Sequence, residues 1–366
     1  MKPRAERLGL LILAVLVVGV QALTAATGTP FYLTQLTMTA YYTLATLGLC
    51  LLMGYAGQVS LCHGAFFAIG AYASAILSTL RLGSPPAAGW RGALAKLGVL
   101  VRAQDLFVPG QEYLVFTPWL GFAVALLLAA AAALLIGYPA LRLRGHYLSM
   151  ATLGFGLIVY RFLLGGDFTG GADGISAVPP WRVLPGIALC SDSAHRVGNY
   201  YFAWGTTGVV LILLLNLVAS RTGRALRAIH EGENAANSMG VDTAAYKLRT
   251  FVISAVLAAA AGSFLTHYTG SIGPGETQAL RSVRYVALVA AGGMANLWGT
   301  LTVSALLTFL SLRGVFGTLD HAVFGAILIL IVCLTPDGPL VPLRRVLAHA
   351  WRRLRRRPGQ AATDPE

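Results

Sequence analysis

The sequence predicts an all-α, polytopic integral membrane protein with about ten transmembrane helices and two Gly-broken segments. Three observations carry this expectation. Only 11% of the 366 residues are charged while 56% are hydrophobic, against about a quarter charged in soluble domains. Mean hydropathy is +0.70, more apolar surface than one water-soluble core can hide. The apolar residues also come in uncharged runs close to the roughly 20 residues a helix needs to cross a bilayer. Spans of that length fill nearly the whole chain, leave no large soluble domain, and put the function in the membrane part.

The first run, 8–23, follows Lys2, Arg4 and Arg7 and ends in small residues. A cleaved signal peptide shares that pattern; a retained span is the reading adopted. Further runs lie at 32–53, 59–80, 118–138, 147–164 (with Arg161), 200–219 and 251–268. Residues 285–312 are apolar apart from the Gly-rich interruption 292–299, and read as one long helix or two short ones. With a cytoplasmic start and a last span at 322–334, one helix gives nine crossings and puts the Arg-rich tail outside. Two give ten and keep it inside, as the positive-inside rule prefers.

On that topology 17 of the 27 Lys and Arg lie inside: three at the start, Arg142 and Arg144, five from Arg221 to Arg249, and seven in the tail. The tail chose the parity, so only the two inner loops support it independently. The expected division is a transmembrane domain over 1–343, including a cytoplasmic loop at 220–249, and a basic cytoplasmic tail over 344–366. The net charge of +13 is then a matter of topology and anionic lipid rather than nucleic acid. Loops 81–116 and 165–199 face outside and, with Pro85-Pro86, Pro109-Gly110 and Pro179-Pro180, are expected to be irregular.

Catalytic constellations are missing. None of the three lysines, Lys2, Lys96 and Lys247, follows a glycine, so no P-loop cradles a nucleotide. There is no HExxH, no GxSxG and no pair of intramembrane carboxylates. Cys50, Cys62, Cys190 and Cys333 form no CxxC pair, which indicates neither a disulfide framework nor a metal site. An enzyme reading has no residues to stand on, and no cofactor is expected in this chain.

The most informative intramembrane stretch is 54–72. Glycines at 54, 57, 64 and 70 thin the helix, and hydrocarbon tolerates the freed backbone only where protein or a wet cavity satisfies it. Gly57, Gln58, Ser60 and His63 therefore read as pathway residues, with a helix start near Ser60 able to present N–H groups to a carboxylate. The alternative is that the glycines allow close packing and His63 only packs. Gly292, Gly293 and Asn296 mark a second interruption; it reads as a partner broken helix or as a cytoplasmic turn. In the inner loop, Leu226 and Ile229, then Ala236 and Met239, sit at i, i+3 spacing, giving short amphipathic helices ended by Gly232 and Gly240. Such helices can dock in a groove of a soluble partner or lie on headgroups.

These residues resemble the branched-chain amino acid ABC transporter permeases of the LivM type over most of the chain. Gly54 to Tyr72 is similar to the family's GYAGQVSLGHxAFFGIGAY block, with Cys62 where Gly is usual. Tyr147 to Gly156, which holds Thr152, resembles YLxMxTLxF, and Thr169 to Ile175 resembles TGGPDGI with Ala172 for Pro. Ser220 to Gly240 resembles SRxGRALRAIRENExAAxxMG, with Asn234 for the usual leading Glu and Glu233 one position earlier; Ala291 to Gly299 is similar to GGLGSLWG.

The resemblance implies a multi-pass bacterial inner-membrane subunit with both termini cytoplasmic. It pairs with a sister permease, two ABC ATPase subunits that hold the ATP, and an extracytoplasmic substrate-binding protein. It implies a translocation pathway at Gly57, Gln58, Ser60, His63, Thr152, Gly292, Gly293 and Asn296. ATPase coupling falls to Arg224, Arg227, Glu233, Asn234, Ala235, Ala236 and Gly240, and the binding-protein side to Thr169, Gly170, Gly171, Asp173 and Gly174. Branched-chain or other hydrophobic amino acids are the expected cargo. Urea or a short-chain amide is the alternative within transport; an autonomous channel or secondary transporter, or a membrane scaffold, are the alternatives outside it.

Overall fold

The computed structural model describes residues 3–83, 98–104, 112–141, 146–184 and 186–315, with isolated positions at 92, 322, 325, 326 and 329. The basic tail 344–366, most of the expected span 322–334, Arg142, Arg144, Pro85-Pro86 and Pro109-Gly110 lie outside the described residues. Eleven helices follow one another within them: α1 Pro3–Ala26, α2 Phe31–Cys50, α3 His63–Thr79, α4 Pro118–Ala140, α5 His146–Gly165, α6 Arg196–Ala219, α7 Arg221–Glu231, α8 Glu233–Ser238, α9 Thr243–Thr269, α10 Ala279–Gly292 and α11 Leu297–Leu312. Six helical stretches, Leu8–Ala26, Phe31–Tyr55, Pro118–Ala140, His146–Gly165, Ser193–Ala219 and Thr243–Thr269, are long and apolar enough to cross a membrane, and Leu297–Leu312 is a shorter apolar helix. The protein is therefore a helical, multi-pass membrane protein.

Helix α2, prolonged by a π-helical turn at Leu51–Tyr55, is the central post, buried along almost its whole length. Helix α9 runs antiparallel to it, Tyr41 beside Phe264 and Gly48 beside Ser254. Helix α11 is also antiparallel to α2, with Thr46 Oγ1 donating to Ser304 Oγ at 2.9 Å and Thr300 Oγ1 to Cys50 Sγ at 3.2 Å. Helix α3 lies parallel to α9 at very close range. A Cβ on Gly70 would stand 2.1 Å from the Ala259 carbonyl oxygen, and one on Gly262 1.9 Å from that of Phe67. Small residues are what bring membrane helices together when no hydrophobic effect separates helix from lipid.

Helix α4 shows the same logic from its sequence. Pro118 opens it at a position where the missing N–H costs nothing. Gly121, Ala125, Ala129, Ala133 and Gly137 form a buried stripe at i, i+4 spacing, while Leu127, Leu128, Leu134 and Leu135 point outward. Outward leucines and an inward small stripe invert a soluble helix, as expected where the surroundings are apolar. Helix α1 is still more peripheral: Leu11, Ile12, Val15 and Leu16 are exposed, and it is tied to α6 by the Tyr200 hydroxyl donating to the Val17 carbonyl at 3.1 Å.

Two differences from the sequence expectation concern the loops. Loops 81–116 and 165–199 are not wholly irregular: β1 (Leu100–Gln104) pairs antiparallel with β2 (Glu112–Phe116), and β3 (Trp181–Leu184) with β4 (Ile187–Leu189). The proline pairs hid these short two-stranded ribbons, the first of which is extended by backbone bonds between Leu114 and residues 82 and 83. Beyond its expected irregularity, the second loop also packs into the helix bundle. Trp181 is buried, stacked 5.6 Å from Phe264 and tilted 5.2 Å from Phe122, and caps one end of the α3–α4–α9 group. The third difference is that charged residues enter the helices: α9 begins at Thr243 and takes in Lys247 and Arg249, and α10 begins at Ala279 and takes in Arg281 and Arg284.

Candidate functional site: two non-helical segments that meet beside the central helix

After the π-helical turn the chain leaves helix. Gly57 takes φ +67°, and a Cβ there would stand 2.9 Å from His230 Nδ1, so both conformation and the close approach of α7 call for glycine. Residues 57–62 then run without helical structure until α3 starts at His63. Their backbone is braced by neighbours: the Gln58 N–H donates to the Leu52 carbonyl (3.2 Å), Ser149 Oγ to the Val59 carbonyl (3.3 Å), and the Leu61 N–H to Thr152 Oγ1 (3.0 Å). This is the satisfaction that non-helical backbone needs inside a membrane. Ser60 Oγ lies 3.2 Å from Cys62 Sγ and 3.3 Å from His63 Nδ1, and His63 Nε2 lies 2.6 Å from Ser254 Oγ. All four side chains are buried. Gln58 is buried too, and neither atom of its amide has a partner among the described residues.

A second segment without α-helix, 270–278, follows α9. Ile272 exchanges two backbone hydrogen bonds of 2.8 Å with Ile175, and the Val178 N–H donates to the Gly270 carbonyl at 3.0 Å. A 3-10 turn at Pro274–Thr277 leads into α10. Here the first turn of α3 touches this second segment and the start of α10. The Gly64 N–H donates to Ser282 Oγ at 3.1 Å, and a Cβ on Gly64 would lie 2.9 Å from the Glu276 carbonyl oxygen. Because His63 sits beside Ser254, α3 begins about 16 Å along α9 from Thr243, at 1.5 Å per residue. That is a little short of the middle of this 27-residue helix.

A charge cluster occupies this level. The Tyr42 hydroxyl donates to Glu276 Oε1 at 3.1 Å, Arg281 pairs with the same oxygen at 3.3 Å, and the guanidinium stands 5.9 Å from the centre of the Tyr42 ring. Tyr42, Glu276, Arg281 and Ser282 were missed by the sequence reading. The signal for them was the run Gly270, Gly273, Pro274, Gly275 directly before Glu276, a breaker cluster between two apolar runs.

The remaining predicted residues fall into three places. Gly292, Gly293 and Asn296 form a tight turn, after which α11 folds back on α10: Gly292 packs on Thr300, and Leu288 and Ala291 cluster with Val303 and Leu307. Asn296 Oδ1 caps α11 by accepting from the Gly299 N–H at 3.1 Å. The turn touches Gly54 and is remote from Gly64.

In the second place, Arg224, Arg227, Asn234, Ala235 and Gly240 are exposed on α7, on α8 and just after it, while Glu233 is half-buried in an ion pair with Lys247 of α9. Leu226, Ile229 and Ala236 are buried against the rest of the chain, and of these four spaced positions only Met239, 84% exposed, points its apolar side chain outward. The expectation of outward apolar knobs thus holds for one residue of four, because spacing shows that a helix is two-faced but not what each face meets.

In the third place, Thr169, Gly170, Gly171, Asp173 and Gly174 form the loop that follows α5. Thr169 Oγ1 is buried, 2.6 Å from the Leu163 carbonyl, Asp173 is exposed, and Gly174 lies against Ile272. The loop therefore rests on the second non-helical segment.

The family described as the permease component of the branched-chain amino acid transport system matches residues 31–332. The chain is 30% identical to the high-affinity branched-chain amino acid transport system permease protein LivM of Escherichia coli (strain K12), over 84% of this chain and 69% of that one. Identity and coverage are the same for LivM of Salmonella typhimurium (strain LT2). The permease protein BraD of Pseudomonas aeruginosa is 28% identical over 83% of this chain and 93% of its own. No solved structure matches.

Proposed function

The chain belongs to the family of branched-chain amino acid transport permease components, and from that premise we propose that it is the membrane subunit of an ATP-binding cassette importer. It moves branched-chain or other hydrophobic amino acids across the bacterial inner membrane. A sister permease, two ATPase subunits and an extracytoplasmic binding protein complete the machine. Both termini are cytoplasmic, and a last crossing over 322–334 brings the count to about ten.

The observation that carries this reading is the meeting of α3 and α10, which follow the non-helical segments 57–62 and 270–278, at the Gly64 to Ser282 hydrogen bond. Discontinuous helices that meet near mid-depth mark substrate sites in transporters, because only a lined cavity supports such backbone. Gly57, Gln58, Ser60 and His63 line the route from the α7 side, with Thr152 holding its wall in place. Gly292, Gly293 and Asn296 act as the turn that lets α10 and α11 move as a pair.

Arg281, at 38% side-chain exposure, is too costly to face lipid at this level, which favours a water-filled route or the sister subunit on that side. Arg224, Arg227, Asn234, Ala235, Gly240 and Met239 present the surface the ATPase engages, and Glu233 and Ala236 hold it to α9. His230 then passes movement to Gly57, at the root of the first segment. Thr169, Gly170, Gly171, Asp173 and Gly174 receive the binding protein and pass its contact to the second.

The test is uptake of labelled L-leucine into proteoliposomes holding the chain with its sister, ATPases and binding protein. ATP-dependent uptake that vanishes when any partner is omitted is expected. Uphill uptake by this chain alone would mean an autonomous carrier, and uptake of urea in place of leucine would shift the cargo class.

A further inference from the structure

Beside the meeting point lies a cavity between α2, α10 and α11, lined by Tyr42, Arg281, Arg284, Tyr285 and Thr308 among others. Its chemistry is two-sided. Two guanidinium groups bring positive charge, and Glu276, bonded to Tyr42 and Arg281 through Oε1, keeps its buried Oε2 without a partner among the described residues. The hydroxyls of Tyr285 and Thr308 are buried on the cavity wall, 3% and 5% exposed, and likewise have no partner among the described residues. Leu288 and Leu312 supply apolar wall. Buried hydroxyls left open on the wall of one cavity, and an open carboxylate oxygen on Glu276, which is bonded to the lining residues Tyr42 and Arg281, are groups that a polar ligand or water is needed to satisfy.

Resting on the transport reading, we infer that this cavity is a mid-membrane subsite for the zwitterionic head of an α-amino acid. Glu276 Oε2 takes the ammonium group. Arg281 and Arg284 take the carboxylate in the planar, charge-assisted manner of guanidinium groups. Tyr285 and Thr308 add hydroxyl contacts, and the leucines meet an aliphatic side chain. The cavity as it stands leaves about 20 Å³ for the centres of water molecules, about one water's worth. The amino acid therefore enters only when the α10–α11 pair swings away from α2, which makes the subsite one that opens with the transport cycle.

The experiment measures L-leucine uptake per ATP hydrolysed in proteoliposomes holding the complete assembly, with ATPase stimulation by the leucine-loaded binding protein as the control for assembly. Glu276→Gln and Thr308→Val are expected to lower uptake per ATP several-fold while stimulation stays within twofold of wild type. The double exchange Glu276→Arg with Arg281→Glu keeps an ion pair but inverts the cavity, and is expected to remain impaired. Recovery in the double exchange overturns the subsite, since it would leave Glu276 and Arg281 a purely structural pair. Wild-type uptake per ATP in Glu276→Gln and Thr308→Val overturns it as well. A wild-type assembly that takes up no leucine overturns the transport reading, and this inference with it.

Discussion

Thr152 Oγ1 is the acceptor for the Leu61 N–H, and the threonine is fully buried. An unpaired buried N–H costs about 1–3 kcal/mol, so Thr152→Val, which keeps the shape and removes the acceptor, is expected to destabilise the protein by that amount. Thr152→Ser is expected to be close to neutral. Thermal unfolding in detergent reads the difference, and a valine variant as stable as wild type would mean that the 57–62 segment does not need the brace. Gly262 offers a second case at this scale, since its Cβ would land 1.9 Å from the Phe67 carbonyl oxygen. Backbone atoms yield less readily than side chains, so Gly262→Ala is expected to cost at least the ~1–3 kcal/mol of an overpacked core; an unchanged unfolding midpoint would contradict the close α3 to α9 contact. Thr152 could be picked from its sequence block, but its task could not. The partner lies 91 residues away, and nothing local to either position records the contact.

Among the elements, α7 and α8 separate what periodicity reveals from what it hides. The i, i+3 spacing of Leu226 and Ile229 was readable as a two-faced helix, and the structure has one. Which neighbour covers the apolar face is a tertiary fact, and here it is the chain's own bundle. The consequence is measurable under the proposed coupling role. Met239→Glu is expected to leave expression and unfolding unchanged but to lower ATP-driven uptake several-fold, because a large outward apolar side chain of this surface is replaced by a charge. Ala236→Glu buries a carboxylate without a partner and is expected to lower folded yield before any coupling can be measured. If Met239→Glu takes up leucine at the wild-type rate in the full assembly, the ATPase does not bind through this patch.

For the molecule as a whole, composition and run length were enough to place the chain in a membrane and to locate most of its long helices, because both follow from the apolar surroundings. They could not reveal that α3, which follows the first non-helical segment, begins against Glu276 and Ser282, while the 292–299 turn lies against Gly54. That pairing depends on the parallel course of α3 and α9, set by backbone contacts such as Gly262 on Phe67. The geometry gives the two segments opposite origins: 57–62 starts beside α7, whereas 270–278 starts from the far end of α9, next to Ile175. They must therefore enter the bundle from opposite faces of the membrane. Single cysteines test this directly. Val59 and Ser271 are both exposed, so Val59→Cys and Ser271→Cys can be made after Cys190 and Cys333 are replaced by Ser, leaving only the buried Cys50 and Cys62. A membrane-impermeant maleimide is then applied to right-side-out and inside-out vesicles. Position 59 is expected to react several-fold better from the face that exposes Arg224 of α7, and position 271 from the other. If both react from one face, 57–62 and 270–278 share a side, and the opposed pair of half-crossings on which the route depends does not exist.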